Sequence, residues 1–336
     1  MENDVIIFKT WSHNAFIYSI INALTNIPNT LCNHKLSLTE FSRFASFFLP
    51  LRSILTFNSQ GNLPHPGPIP TCSDIEIIAL TLFQSLLSIE SECRFFSMLR
   101  FLLPGYSVIL SRRNFNSRRR RLTQFIEIIR KRLSQFLCAN TGDSLLIIDS
   151  MPIETCRYSR ASSSRIFKEN EDTAPSYGYC ATQQQLYWGY KFHCVCTAAG
   201  IIVRYDLSPA HHHNIKYLQD IQDEVSNCVL VGDKGYRSNP LRLTLFEYAG
   251  IELATPCRKN ELLQHTMPDD YQRIRKRVEV VFSQLVDQFA IRKNYAKSQI
   301  GLFTRIISKV TLFTMLQYIN LMNNQPLNQI RYTLSA

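Results

Sequence analysis

Two short, unbroken apolar runs, Leu145-Leu146-Ile147-Ile148 and Cys228-Val229-Leu230-Val231, constrain this chain more than any other feature. Neither alternates with polar residues, so each reads as a strand buried on both faces, in a sheet covered by helices. Each run leads into an aspartate, Asp149 directly and Asp233 after Gly232. In α/β sheets, groups that do chemistry collect where strands end and the chain leaves the core. An acid in that place also serves as an ordinary turn or cap residue. One would be unremarkable; two in similar contexts are a signal. If the strands are parallel neighbours, the two carboxylates come within reach of one metal ion.

The surrounding segments extend the same architecture. Trp188–Cys196 and Ile201–Leu207 read as strands joined by a turn at Thr197-Ala198-Ala199-Gly200. Asn214–Val225, Leu241–Tyr248 and Asp269–Phe289 read as helices, and Ile251–Thr255 as a strand. The polar stretch 152–185, with Ser162-Ser163-Ser164 and Gln183-Gln184-Gln185, reads as loop. The order β-β-β-α-β-α-β-α predicts a mixed sheet flanked by helices over residues 141–325, with 326–336 as a tail.

The N-terminal part is of another kind. Residues 1–60 are apolar-rich with helical spacing in places, an N-terminal helical region of unknown role. Residues 61–71 read as a linker, since Gly61–Pro70 carries four Pro and two Gly. Ser73 and Glu76 then form a capping-box pattern ahead of Ile77, Ile78, Leu80, Leu82, Phe83 and Leu86. A second helix is expected over Glu92–Leu103, ending at Pro104-Gly105. A third, longer one starts near Ser111, with apolar residues from Phe115 to Leu137 at helical spacing. Residues 72–140 are therefore expected to form an all-α, helix-turn-helix-like DNA-binding domain.

Charge points the same way. The 336-residue chain carries a net charge of +11, which favours a polyanionic partner. Most of the surplus lies between Arg112 and Arg132: Arg112, Arg113, Arg118, Arg119, Arg120, Arg121, Arg130, Lys131 and Arg132 face a single acid, Glu127. Like charges at i, i+4 oppose one another on a helix, and a phosphate backbone would offset that cost. A solvated surface face is the bland alternative, but such faces usually mix signs. No membrane span is expected, because the apolar stretches Phe44–Leu51 and Ile306–Met322 are interrupted by Pro50, Arg52 and Lys309. The acidic start Met1-Glu2-Asn3-Asp4 is unlike a signal peptide, so a cytoplasmic location is expected. The ten cysteines form no C-x-x-C pair and read as reduced, buried thiols.

A third acid stands out in Arg273-Ile274-Arg275-Lys276-Arg277-Val278-Glu279-Val280-Val281-Phe282. Glu279 is either a local partner of Arg275, four residues back, or a carboxylate that closes a metal site from a helix packed on the sheet. In the second case, the preceding basic residues face substrate phosphates. Carboxylates without Cys or His suit hard cations such as Mg²⁺ better than zinc.

Three blocks together resemble the transposases of the insertion-sequence 982 family, bacterial DDE enzymes on an RNase H-like fold. They are Cys72–Ile78 through Asn114–Arg121; Ile147–Ile153 with Tyr187-Trp188-Gly189-Tyr190-Lys191-Phe192-His193; and Gly232-Asp233-Lys234-Gly235-Tyr236 with Arg275–Leu285. The resemblance implies an RNase H-like catalytic domain in which Asp149, Asp233 and Glu279 are catalytic and hold two Mg²⁺ or Mn²⁺ ions. It implies DNA contacts at Arg112, Arg113, Arg118, Arg119, Arg120, Arg121, Lys191, Arg275, Lys276 and Arg277. His193 is a candidate for supporting the site from behind, or a packed strand histidine. The partners implied are the element's terminal repeats and target DNA, with a homodimer in the synaptic complex at the bacterial nucleoid. The chain departs from the family where Gln272 and Val286 stand in place of a Tyr and a Lys, and where Asn214 replaces part of a His-Asp pair. A DNA-binding regulator, an inactive copy and a metal-dependent nuclease without strand transfer are the competing readings.

Overall fold

The computed structural model describes residues 57–58, 61–102, 110–181, 183–257 and 267–335. The expected helical region 1–60, except for 57 and 58, and the turn at Pro104-Gly105 lie outside these. The described chain divides into two compact units. One holds the described parts of 1–80, 91–118 and 331–336; the other holds 81–90 and 119–330. Residues 81–90 and 119–140, expected within a separate domain, therefore belong to the same unit as the sheet.

In the first unit, the capping box forms as expected. The Ser73 backbone N–H donates to Glu76 Oε2 at 2.6 Å, and the Glu76 N–H donates to Ser73 Oγ at 3.2 Å. This starts helix α1 (Asp74–Leu86), and α2 follows at Glu92–Leu102. The Pro- and Gly-rich segment before α1 is irregular but anchored: the Asp74 N–H donates to Asn62 Oδ1 at 3.0 Å, and the Leu63 N–H to Asp74 Oδ2 at 3.0 Å. Phe95, Phe96 and Phe115 pack as a buried aromatic cluster.

The single long helix expected from Ser111 is two helices, α3 (Arg112–Arg121) and α4 (Thr123–Thr141), separated at Leu122. Leu122 is buried, so the apolar repeat continues through the break and hides it from a periodicity argument. The helix-turn-helix reading rested on three helices and finds no support among the described residues.

In the second unit, β1 (Leu145–Cys156), β2 (Ser176–Cys180), β3 (Gln185–Thr197), β4 (Ile202–Pro209), β5 (Cys228–Val231) and β6 (Ile251–Ala254) make one mixed sheet. Its order is β2-β3-β1-β5-β6, with β4 also on β3. β1 pairs antiparallel with β3 and parallel with β5, and β5 pairs parallel with β6. This topology is consistent with the expected α/β RNase H-like fold. Two expectations change here. β1 runs seven residues beyond Asp149, and the stretch expected to be loop contains that extension and all of β2. β1 outlasts its apolar run because β3, also long, keeps pairing with it to Cys156.

Helices α5 (Asn214–Ile221) and α6 (Asn239–Ala249) cover one face through Tyr217, Leu218, Ile221 and Leu245 against Leu146, Ile148, Val195 and Leu230. α4 and α7 (Asp269–Asp287) cover the other, and α8 (Gln299–Met322) packs against both of them. From α4, Ser134 Oγ and Arg130 Nη1 donate to the Ile202 carbonyl at 2.9 and 3.0 Å. From α7, Phe282 meets Phe192 with centroids 6.3 Å apart. α9 (Arg331–Ser335) lies in the segment expected to be tail. No helix of the described residues is long and apolar enough to cross a membrane. Cys194 and Cys196 are buried, unbridged thiols, as expected.

Candidate active site

Asp149 and Asp233 are placed by strand register. Leu145, Leu146 and Ile147 of β1 pair with Val229, Leu230 and Val231 of β5 in parallel. The pairing stops there, and two residues further each chain carries its aspartate. Neighbouring strands lie about 4.8 Å apart, so Asp149, within β1, and Asp233, just past the end of β5, come side by side. Gly232 allows this approach, since a Cβ there would meet Ile148 Cγ2 at 3.0 Å and the Tyr236 Cβ at 3.3 Å.

Each aspartate is steadied by backbone. The Ser150 N–H donates to Asp149 Oδ1 at 2.7 Å. Asp233 Oδ1 accepts the Gly235 N–H at 2.8 Å and caps the 3₁₀ turn Lys234–Tyr236. Burial is the largest cause that raises the Asp149 carboxyl to about 6; the negative charges of Asp233 and Glu279 add to it, while the Ser150 N–H and Arg275 oppose it. Asp149 thus feels both other acids and the arginine from α7.

Glu279 reaches this field from outside the sheet. The apolar stripe Val278, Val281, Phe282 and Leu285 seats α7 on the strands and leaves Glu279 exposed. No ion pair joins Glu279 to Arg275 among the described residues, although they stand four apart on one helix. Among the described residues, no three His, Cys, Asp or Glu side chains are gathered closely enough to hold a metal ion. The acids share an electrostatic neighbourhood without forming a closed cage. Their donor chemistry, oxygen only, fits a hard divalent cation.

Lys191 of β3 lies within the electrostatic reach of Asp233. Its ammonium donates to the His212 carbonyl at 2.7 Å and to Asn214 Oδ1 at 3.2 Å. Burial lowers its pKa, and the charge of Asp233 acts against that. His193, two residues on, is 1% exposed and stacks on Tyr217 at 4.7 Å. Its Nδ1 meets the Tyr236 hydroxyl at 3.3 Å and its Nε2 meets Ser208 Oγ at 2.9 Å. Burial drives its pKa down to about 3, so the ring is neutral. His193 thus combines a stacked, buried ring with a hydrogen bond to Tyr236. Tyr236 also hydrogen-bonds Ser150 and lies close enough to Asp149 and Asp233 to feel both charges. Ser208 and Ser150 enter the site only through register and turn geometry, which no local sequence signal carries.

The basic candidates separate into two groups. Arg118 pairs with Asp74, Arg119 is buried on Gln84 Oε1 at 3.0 Å, and Arg277 Nε donates to the Ala198 carbonyl at 3.0 Å. Arg112, Arg113, Arg120, Arg121 and Lys276 are exposed, and Arg275 is half-buried.

The transposase DDE domain model matches residues 140–315, which include β1, β5, α7 and all three acids. The chain belongs to this transposase family. No curated protein and no solved structure matches it. Transposases cut and join DNA, and membership in this family makes DNA the partner against which the charged groups are read.

Proposed function

We propose that this DDE transposase is the enzyme of a bacterial insertion sequence of the 982 family type, acting on the element's terminal repeats and on target DNA. The observation that carries the reading is the parallel register that sets Asp149, within β1, beside Asp233, just past the end of β5, with Glu279 and Arg275 in the field of Asp149. Asp149, Asp233 and Glu279 would hold the divalent ions, two Mg²⁺ or Mn²⁺. Such a pair, when bound, activates an attacking oxygen and stabilises a leaving one in displacement at phosphorus.

The chain's own residues supply position and charge. Lys191, held by the His212 carbonyl and Asn214, and Arg275 sit where they can neutralise phosphate oxygens beside the carboxylates. The exposed arginines of α3 bind the DNA backbone. Water first attacks an end phosphodiester, a P–O bond breaks, and a 3′-OH is released. That hydroxyl then attacks a target phosphodiester and expels the target strand's own 3′ oxygen. Synapsis of two ends calls for a homodimer at the nucleoid.

The test is strand transfer in Mg²⁺ or Mn²⁺ with the DNA that flanks the reading frame. Wild type joins these ends to target, and Asp149→Asn, Asp233→Asn and Glu279→Gln do not. Full activity in all three variants overturns the site. Cleavage without joining points to a nuclease, and binding without cleavage to a regulator or an inactive copy.

A further inference from the structure

The β2 end of the sheet carries a row of side chains that the carboxylate site does not use. Tyr177 stands opposite Trp188, and Tyr179 opposite Leu186, across β2 and β3. By the two-residue period of strands, all four share a face. Tyr158, from the turn after β1, closes on Tyr177 with ring centroids 5.5 Å apart, and Tyr177 on Trp188 at 4.6 Å. Tyr158, Tyr177, Tyr179 and Leu186 are nonetheless 46%, 48%, 59% and 49% exposed. The Trp188 indole N–H is shielded from water and meets no acceptor among the described residues.

The row is rigid. A Cβ at Gly178 would lie 2.7 Å from the Tyr187 ring and from Ala210 Cβ, and one at Gly189 would lie 2.1 Å from the Ile153 carbonyl oxygen. Only glycine lets these strands close up behind the rings. The rim is basic. Arg157 and Arg160 flank Tyr158 and are exposed, Arg165 and Lys168 follow, and no acid occurs from residue 155 to 168. Exposed rings beside an acid-free run of cations match a phosphate chain that carries flat bases, because every base has a face to stack and every linkage a charge to neutralise.

We propose that Tyr158, Tyr177, Tyr179 and Trp188 form a stacking platform for unpaired bases of a DNA strand. β1 connects this platform to the carboxylates, with a bulge between Glu154 and Cys156. The seven residues from Asp149 to Cys156 span roughly 23 Å at about 3.3 Å each, so the platform receives DNA several nucleotides from the reacting phosphate. The proposal rests on the reading of the carboxylate site as DNA-processing, and its test is independent of cleavage.

The full chain is titrated in EDTA against a single-stranded oligonucleotide containing 2-aminopurine, and against a blunt duplex of the same sequence. Tyr177→Ala and Tyr179→Ala are each expected to weaken single-strand binding about 5- to 50-fold and duplex binding by less than about twofold. Tyr177→Phe keeps the ring and binds like wild type. Wild type quenches the 2-aminopurine; Tyr177→Ala quenches it less. No loss, or equal loss on both DNAs, overturns the proposal. A change of oligomeric state in light scattering with DNA binding unaltered overturns it too, and makes the row a protein-binding surface. Asp233→Asn separates the two readings, since it removes strand transfer and leaves single-strand binding intact.

Discussion

Leu146 of β1 pairs with Leu230 of β5, and the same register carried three residues onward sets Asp149 level with Asp233. Proximity of this kind costs stability before it yields activity, because burial and two neighbouring acids work against the charge on Asp149.

That cost predicts a stability profile. The Asp149 carboxyl is raised to about 6 in the fold, against about 3.9 in an unfolded chain. Between those values the folded state binds the proton more tightly. The group's stabilising contribution is therefore complete below about pH 4 and lost as pH rises towards 6. At neutral pH in EDTA, Asp149→Asn should melt a few degrees higher than wild type, worth about 1 kcal/mol once partial solvent screening is allowed for. Near pH 4 the two should melt together. A variant that melts lower at neutral pH contradicts the assignment. Divalent metal should narrow the difference by stabilising wild type alone.

Some of this was legible in the sequence. The two apolar runs located β1 and β5, and their aspartates followed, since a strand buried on both faces has no other pattern available. The β1 extension to Cys156 does alternate polar Ser150, Pro152 and Glu154 with buried Met151 and Ile153, but Pro152 argues against an interior strand and masks that signal; partners on β3 hold those residues in the sheet. The break at Leu122 was invisible for the opposite reason, a repeat that continues through it. Tyr236 and Ser208 were missed as supports because their link to His193 depends on three separate elements meeting.

Glu279 and Arg275 give a sharper test of the sequence argument, which left open an ordinary helical ion pair. Such pairs couple by about 0.3–0.5 kcal/mol. A double-mutant cycle with Arg275→Ala and Glu279→Ala, read by urea unfolding, is expected to show coupling below that range. Coupling at or above it would restore the ion pair and weaken the claim of Glu279 on the site. In the same series, Arg275→Ala should raise the Asp149 pKa further, since it removes an opposing positive charge; carboxylate NMR can follow that.

Tyr236→Phe removes one hydroxyl from a fully buried ring. His193 Nδ1 loses its partner, and Ser150 loses a hydrogen bond beside Asp149. The expected cost is about 1–3 kcal/mol, the usual penalty for stranding a buried polar group, seen as a lower urea midpoint with unchanged slope. Strand transfer should fall as well, because the turn that presents Asp233 loses its tie to β3. Stability and activity both at wild-type levels would show that the phenol supports nothing.

Far from the carboxylates, Glu90 is buried between two cations of α8. Lys309 Nζ reaches its Oε1 at 2.5 Å, and Arg305 Nη1 its Oε2 at 3.2 Å. Burial pushes the Lys309 pKa down while Glu90 holds it up. Removing one member of a buried pair leaves the other charge uncompensated, at a cost of about 3–5 kcal/mol, whereas replacing both with apolar groups is often close to neutral. Glu90→Leu should therefore unfold at markedly lower urea than wild type. Adding Lys309→Met to it should recover part of that loss rather than deepen it. Additive destabilisation in the double variant would mean that Lys309 draws its stability from the Ala290 carbonyl, its other acceptor at 3.0 Å, and not from Glu90.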